Sequence, residues 1–154
     1  MAEFGTEKMV NIILCSVFLA IAAWQDLRKK AVGLWVYGLF GVFGVGLRLW
    51  QKDTAAGGYG AMVGIALLLM SRISDGAIGY GDGLFFTVSG IYLGLRLNLQ
   101  LFLFGSFLCG TVCLLVFLVG LSKGENTRKK TVPFLPFMIP VWIWMVSCWT
   151  EVYL

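Results

Sequence analysis

The chain reads as six long apolar runs separated by short polar or glycine-rich breaks. They run from about Met9 to Trp24, Val32 to Trp50, Gly57 to Met70, Leu84 to Leu97, Leu99 to Leu121 and Pro133 to Val152. None shows the strict alternation of a barrel strand, and most far exceed strand length, so the pattern predicts helices. The third and fourth runs are short and rich in glycine. Gly60 and Gly64, and likewise Gly90 and Gly94, put two glycines on one helix face, where another backbone can approach closely; these are expected to be packing seams. Pro133, Pro136 and Pro140 open the last run, where proline is tolerated, with Pro140 placed to kink the first turns. Residues 1–8, MAEFGTEK, are polar and aperiodic and are set apart as a tail of the kind an expression vector leaves. The first run lacks a small-residue cleavage site and ends in Asp26-Leu27-Arg28-Lys29-Lys30, which argues against a removed signal peptide.

Composition turns these helices into membrane spans. Apolar residues are 59% of the 154 and charged residues 13%, against about 45–50% and about 25% in a soluble domain. A water-soluble fold this small has too little interior to hide that surface, and a disordered chain would be poor in hydrophobes. At about 20 residues per span, six spans take roughly 120 residues and leave roughly 34 for loops, so six is the ceiling. The expected fold is all-α: a polytopic integral membrane protein with six transmembrane helices, forming one domain over residues 9–154.

The basic residues orient it. Loops after runs one, three and five hold Arg28, Lys29, Lys30, Arg72, Lys123, Arg128, Lys129 and Lys130; the other side holds Lys8, Arg48, Lys52 and Arg96. The richer side is cytoplasmic by the positive-inside rule, so both termini are expected outside an inner (cytoplasmic) membrane. The net charge of +4 therefore speaks of orientation in a lipid bilayer, and no nucleic-acid partner is expected. The chain has no histidine, and Cys15, Cys109, Cys113 and Cys148 form no C-x-x-C pair. Histidine triads, zinc sites and a disulfide framework are thus disfavoured, no metal site is expected, and the cysteines read as buried small hydrophobes.

The acids carry the candidate chemistry. Glu125 lies in a polar loop, and Asp75 reads as a turn residue or a partner of Arg72. Asp26, at the inner end of the first span, and Asp82, in Gly79-Tyr80-Gly81-Asp82-Gly83 at the inner start of the fourth, are expected at one depth on one membrane face. Ionisable groups at the hydrocarbon edge usually face a bundle interior or a wet cavity. Two carboxyls brought together there could not both ionise easily, so one would keep a proton, the arrangement of an aspartic protease. Glycines 79, 81 and 83 would let a substrate backbone pass close to the carboxylate. Two other readings stand beside this one. Either acid could simply cap a helix, which suits a non-catalytic scaffold or accessory subunit. Ile78-Gly79-Tyr80-Gly81-Asp82 also looks like a potassium-channel filter. Against a filter stand Ala77 where a Thr would be, the Asp75-Gly76 interruption before it, and the inner location.

Three stretches together resemble the type IV prepilin peptidases, intramembrane aspartic proteases of the G-x-G-D type. They are Asp26-Leu27-Arg28, Gly76-Ala77-Ile78-Gly79-Tyr80-Gly81-Asp82, and Val132-Pro133-Phe134-Leu135-Pro136-Phe137. The resemblance implies an endopeptidase that cuts the basic leader from prepilins or pseudopilins on the cytoplasmic side. Asp26 and Asp82 would be the dyad, Gly79, Tyr80 and Gly81 would guide substrate, and no cofactor is implied. Val32-Gly33-Leu34 stands where many members have Ile-Pro-Asn, and Leu84 where many have Lys; these departures bear on substrate handling and on the orientation of Asp82. The larger members carry a cysteine-bearing insert and methylate the new N-terminus. Only Arg28 to Ala31 separates runs one and two here, so the chain resembles the minimal form and is expected to lack methyltransferase activity.

Overall fold

The computed structural model describes residues 2–29, 32–74, 79–122 and 133–153, and among them every regular element is helical. In chain order these are α1 (Ala2–Lys29), α2 (Leu34–Trp50), α3 (Thr54–Ile73), α4 (Tyr80–Ser122) and α5 (Met138–Tyr153), with a 3-10 turn at Leu135–Phe137 leading into α5. Three helices are long and apolar enough to cross a membrane, over Thr6–Lys29, Thr54–Ile73 and Tyr80–Gly120; Leu34–Trp50 and Leu135–Cys148 are apolar but shorter. Large apolar side chains such as Trp35, Val42, Trp50, Phe107 and Leu118 lie exposed around the bundle, as suits a protein whose solvent is lipid.

α4 is broken within its length. At Gly94 the backbone takes φ 74 and ψ 176, a region open essentially to glycine alone. Asn98 donates from Nδ2 to the Phe86 carbonyl at 2.8 Å, and the Phe86 and Phe102 rings sit 5.2 Å apart. In a straight helix those pairs would be about 18 and 24 Å apart. The chain therefore folds back at Gly94 into two arms, 80–93 and 95–122, which correspond to the fourth and fifth runs. The break falls at Gly94, four residues earlier than hydropathy placed it, because backbone freedom and not polarity decides where the helix turns. Leu95, Arg96 and Leu97 thus belong to the returning arm.

A broken helix frees carbonyls that must be satisfied in a dry interior. Arg48 does this: Nε donates to the Ile91 carbonyl and Nη2 to the Tyr92 carbonyl, both at 2.7 Å, while Nη1 pairs with Asp53 at 3.0 Å. Arg48 was counted above as an outer loop charge. It is 8% exposed and belongs to α2. Asn98 completes the hairpin, donating also to the Gly60 carbonyl at 3.0 Å and accepting from the Ser89 hydroxyl at 2.8 Å.

The glycine seam forms between α3 and the first arm of α4 at Gly60, Gly64 and Gly90, whereas Gly94, expected on the same helix face as Gly90, is the break itself because its backbone leaves the helical region. A Cβ on Gly60 would collide with the Gly90 carbonyl, one on Gly90 with the Gly60 carbonyl, and one on Gly64 with Thr87. Phe18, Phe85 and Phe86 form the buried aromatic centre, with Phe18 stacked on Phe85 at 5.2 Å. α1 begins at Ala2, ahead of its apolar run, so residues set apart as a tail are helical. Cys15 is fully buried, but Cys109 and Cys113 are only half-buried and Cys148 is exposed, so the reading of all four cysteines as buried holds at Cys15 alone. Cys148 lies toward the C-terminal end of α5, and that place, not its apolar sequence context, sets its exposure.

Candidate active site

Asp26 occupies the last turn of α1, beside the crossing to α2. Its neighbour Gln25 accepts at Oε1 from the Gly33 amide at 2.9 Å, which ties the end of α1 to the start of α2. Asp26 reaches a different part of the chain. Its Oδ2 accepts from the Leu135 amide at 3.1 Å, across 109 positions. Leu135 opens the 3-10 turn before α5, and a carboxylate there satisfies one of the turn's orphan N–H groups. Two of the three stretches singled out in the sequence, the first Asp and the Pro-Phe segment, are thus joined directly.

Asp82 lies in the first turn of α4. Its amide donates to the Gly79 carbonyl at 3.1 Å. A Cβ on Gly79 would lie 2.9 Å from the Asp82 Oδ2, so the missing side chain makes room for the carboxylate. The Gly81 carbonyl accepts from the Tyr37 hydroxyl at 3.0 Å. Tyr37 is buried in α2, edge-on to Phe18 with ring centroids 6.1 Å apart. Asp26 and Asp82 are both half-buried and lie within electrostatic range of each other, and both act on the Tyr37 hydroxyl. Cys109, on the returning arm, is also within range of Asp82.

Of the sequence candidates, Asp26, Asp82, Gly79 and Gly81 gather at this end of the bundle, while the Tyr80 side chain is 53% exposed. Asp75 and residues 76–78 lie outside the described residues. Residues 80–82 are helical and the Gly79 carbonyl accepts helix-type bonds, unlike the free, ion-facing carbonyls of a channel filter. Leu84 packs against the apolar core and Gly33 serves as the N-cap of α2. Tyr37 was missed by the sequence reading. A tyrosine inside an apolar run carries no local signal, and its partner is 44 positions away.

The profile of the type IV leader peptidase family matches residues 13–115, about two thirds of the chain. The chain belongs to that family. The match spans Asp26 and Asp82 and stops before the Pro-Phe segment, so this leader-peptidase homologue is tied to its last helix by the Asp26–Leu135 bond seen here. No curated protein and no solved structure matches the chain.

Proposed function

We propose that this chain is an intramembrane aspartic endopeptidase that removes the basic leader of a type IV prepilin or pseudopilin at the cytoplasmic membrane face. The observation that carries the reading is the pair of half-buried carboxyls, Asp26 and Asp82, within electrostatic range at one end of the bundle. Family membership supplies the peptidase class. One carboxylate draws a proton from a water held between the two, and the protonated partner polarises the scissile carbonyl. The hydroxide adds to the carbonyl carbon, and the departing amine takes a proton as the C–N bond breaks. Tyr37 is a positioning residue: its hydroxyl holds the Gly81 carbonyl and with it the turn that presents Asp82.

The topology that goes with this reading has six crossings, α1 to α3, the two arms of α4, and α5, with both termini outside. The first arm, residues 80–93, is about 21 Å long against a hydrocarbon core of about 30 Å. An arm that short keeps Asp82 at the membrane's edge and favours local thinning there, which suits a substrate cut beside its apolar segment. The short α1–α2 crossing goes with peptidase activity alone, without methyl transfer.

The decisive experiment is in vitro processing of a candidate prepilin in detergent or liposomes, with N-terminal sequencing of the product. A new N-terminus just before the apolar segment supports the reading; an intact precursor over long incubation overturns it. Tyr37→Phe is expected to lower kcat about tenfold with KM little changed, and to cost about 1 kcal/mol of stability for the lost hydrogen bond; unchanged kcat would remove Tyr37 from the site. The orientation is checked with a native thiol. Cys148 is exposed at the end of the bundle away from the two acids, so a membrane-impermeant maleimide should label it from the outside of intact cells. Labelling should vanish in Cys148→Ser, and labelling only after lysis would invert the topology.

A further inference from the structure

One cavity in the described residues lies away from the acids. It has a volume of about 600 Å³ and lies at the other end of the bundle, lined by Lys8 and Asn11 of α1, Arg48 and Gln51 of α2, Gly94 at the helix break and Arg96 just beyond it. Along α1, Lys8 is about 27 Å from Asp26, and along the first arm of α4, Gly94 is about 18 Å from Asp82. The cavity is thus a separate place in the fold, of a size that holds small-molecule ligands.

Its chemistry is two-sided. The floor is polar and built: Arg48 is buried and fixed by the Ile91 and Tyr92 carbonyls and by Asp53, and Asn11 and Gln51 bond each other reciprocally at 3.2 and 3.3 Å. Three cations, Lys8, Arg48 and Arg96, line the cavity against two carboxylates, Glu7 and Asp53. Arg48 and Asp53 pair with each other, which leaves Lys8 and Arg96 against Glu7 among the lining charges, a net positive balance. The wall is apolar, formed by Leu97, Phe104, Trp144 and Met145. Phe104 and Trp144 pack edge to face at 5.4 Å and are 46% and 55% exposed, which opens this wall toward the surroundings of the bundle.

We propose that this cavity binds the phosphate headgroup of an anionic amphiphile, with a phospholipid of the adjoining leaflet as occupant. The phosphate takes N–H donors from Arg96, Lys8 and Arg48, as guanidinium and ammonium groups favour. One acyl chain lies along Phe104 and Trp144, where an aromatic pair meets the membrane–water boundary. The bound lipid wedges α1, α5 and the hinge at Gly94 together at the end remote from the acids.

The test is binding, so it succeeds or fails independently of peptidase activity. The purified full chain is titrated with phosphatidylglycerol, phosphatidylcholine or glycerol 3-phosphate and read by native mass spectrometry. Phosphatidylglycerol should bind at least about tenfold more tightly than phosphatidylcholine. Arg96→Gln, an exposed change that leaves the Arg48 floor intact, should remove most of that preference while phosphatidylcholine binding stays unchanged. Lys8→Gln serves as a second variant and should weaken the preference in the same direction. Brominated phosphatidylglycerol, added near one lipid per protein in detergent, should quench tryptophan fluorescence more than brominated phosphatidylcholine, and Trp144→Phe should remove that difference. Equal binding of the two lipids, or a preference untouched by both variants, overturns the proposal. Glycerol 3-phosphate binding without any lipid preference would assign the phosphate site to a soluble ligand and overturn the lipid occupant.

Discussion

Asp82→Asn and Asp26→Asn are each expected to lower prepilin cleavage by about 10³-fold or more, the scale on which positioned acid–base groups act, while both proteins still accumulate in the membrane. Asparagine is the informative replacement at position 26. Its amide oxygen can still accept from the Leu135 amide, as Asp26 Oδ2 does at 3.1 Å, and Asn caps a helical turn about as well as Asp. The cap survives and the titratable group is lost. An inactive but stable Asp26→Asn therefore assigns the carboxyl to chemistry. An active Asp26→Asn beside an unstable Asp26→Ala would assign it to capping and favour the scaffold reading. At position 82 the backbone bond to Gly79 belongs to the amide, not the side chain, so Asn leaves the turn in place there as well. Asp75→Ala should retain much of the activity; equal loss at 75 and 82 would mean that the dyad is wrongly paired.

The second large effect lies in the seam between α3 and the first arm of α4. Gly60→Ala and Gly90→Ala each push a methyl group into the backbone of the facing helix. Backbone cannot rotate away as a side chain can, so the helices must separate. Overpacking of this kind costs about 1–3 kcal/mol, and here it also strains the Asn98 bonds that tie the Gly60 carbonyl to the hairpin. Gly58 is the control on the same helix. Nothing lies within 4 Å of a Cβ there, so Gly58→Ala should be neutral or stabilise by about 0.5–1 kcal/mol through the better helix former. Thermal melts in one detergent check the contrast. Similar melting temperatures for the alanine variants at 58, 60 and 90 would show that the seam is not close-packed.

Much of this was open to a reader of the sequence, and for local reasons. Long apolar runs have one solution in lipid, because every backbone polar group must be satisfied within its own segment. Membrane character and helical class follow from that, and Asp26 and Asp82 could be singled out as candidates because they stand at the ends of apolar runs. Glycine pairs four apart announced the α3–α4 seam because a face without side chains has little other use in a membrane helix.

What no stretch of sequence could settle is which distant groups meet. Arg48 looks like a loop charge until the helix break at Gly94 offers it two carbonyls from another helix. Tyr37 looks like an apolar-run residue until folding sets its hydroxyl on Gly81, and Asp26 looks solitary until the chain returns with Leu135. Hydropathy is a property of neighbours along the chain, and it decided what each segment is. A hydrogen bond is a property of neighbours in space, so the surroundings of the two acids and the basic cavity at the opposite end were decided only when the helices packed.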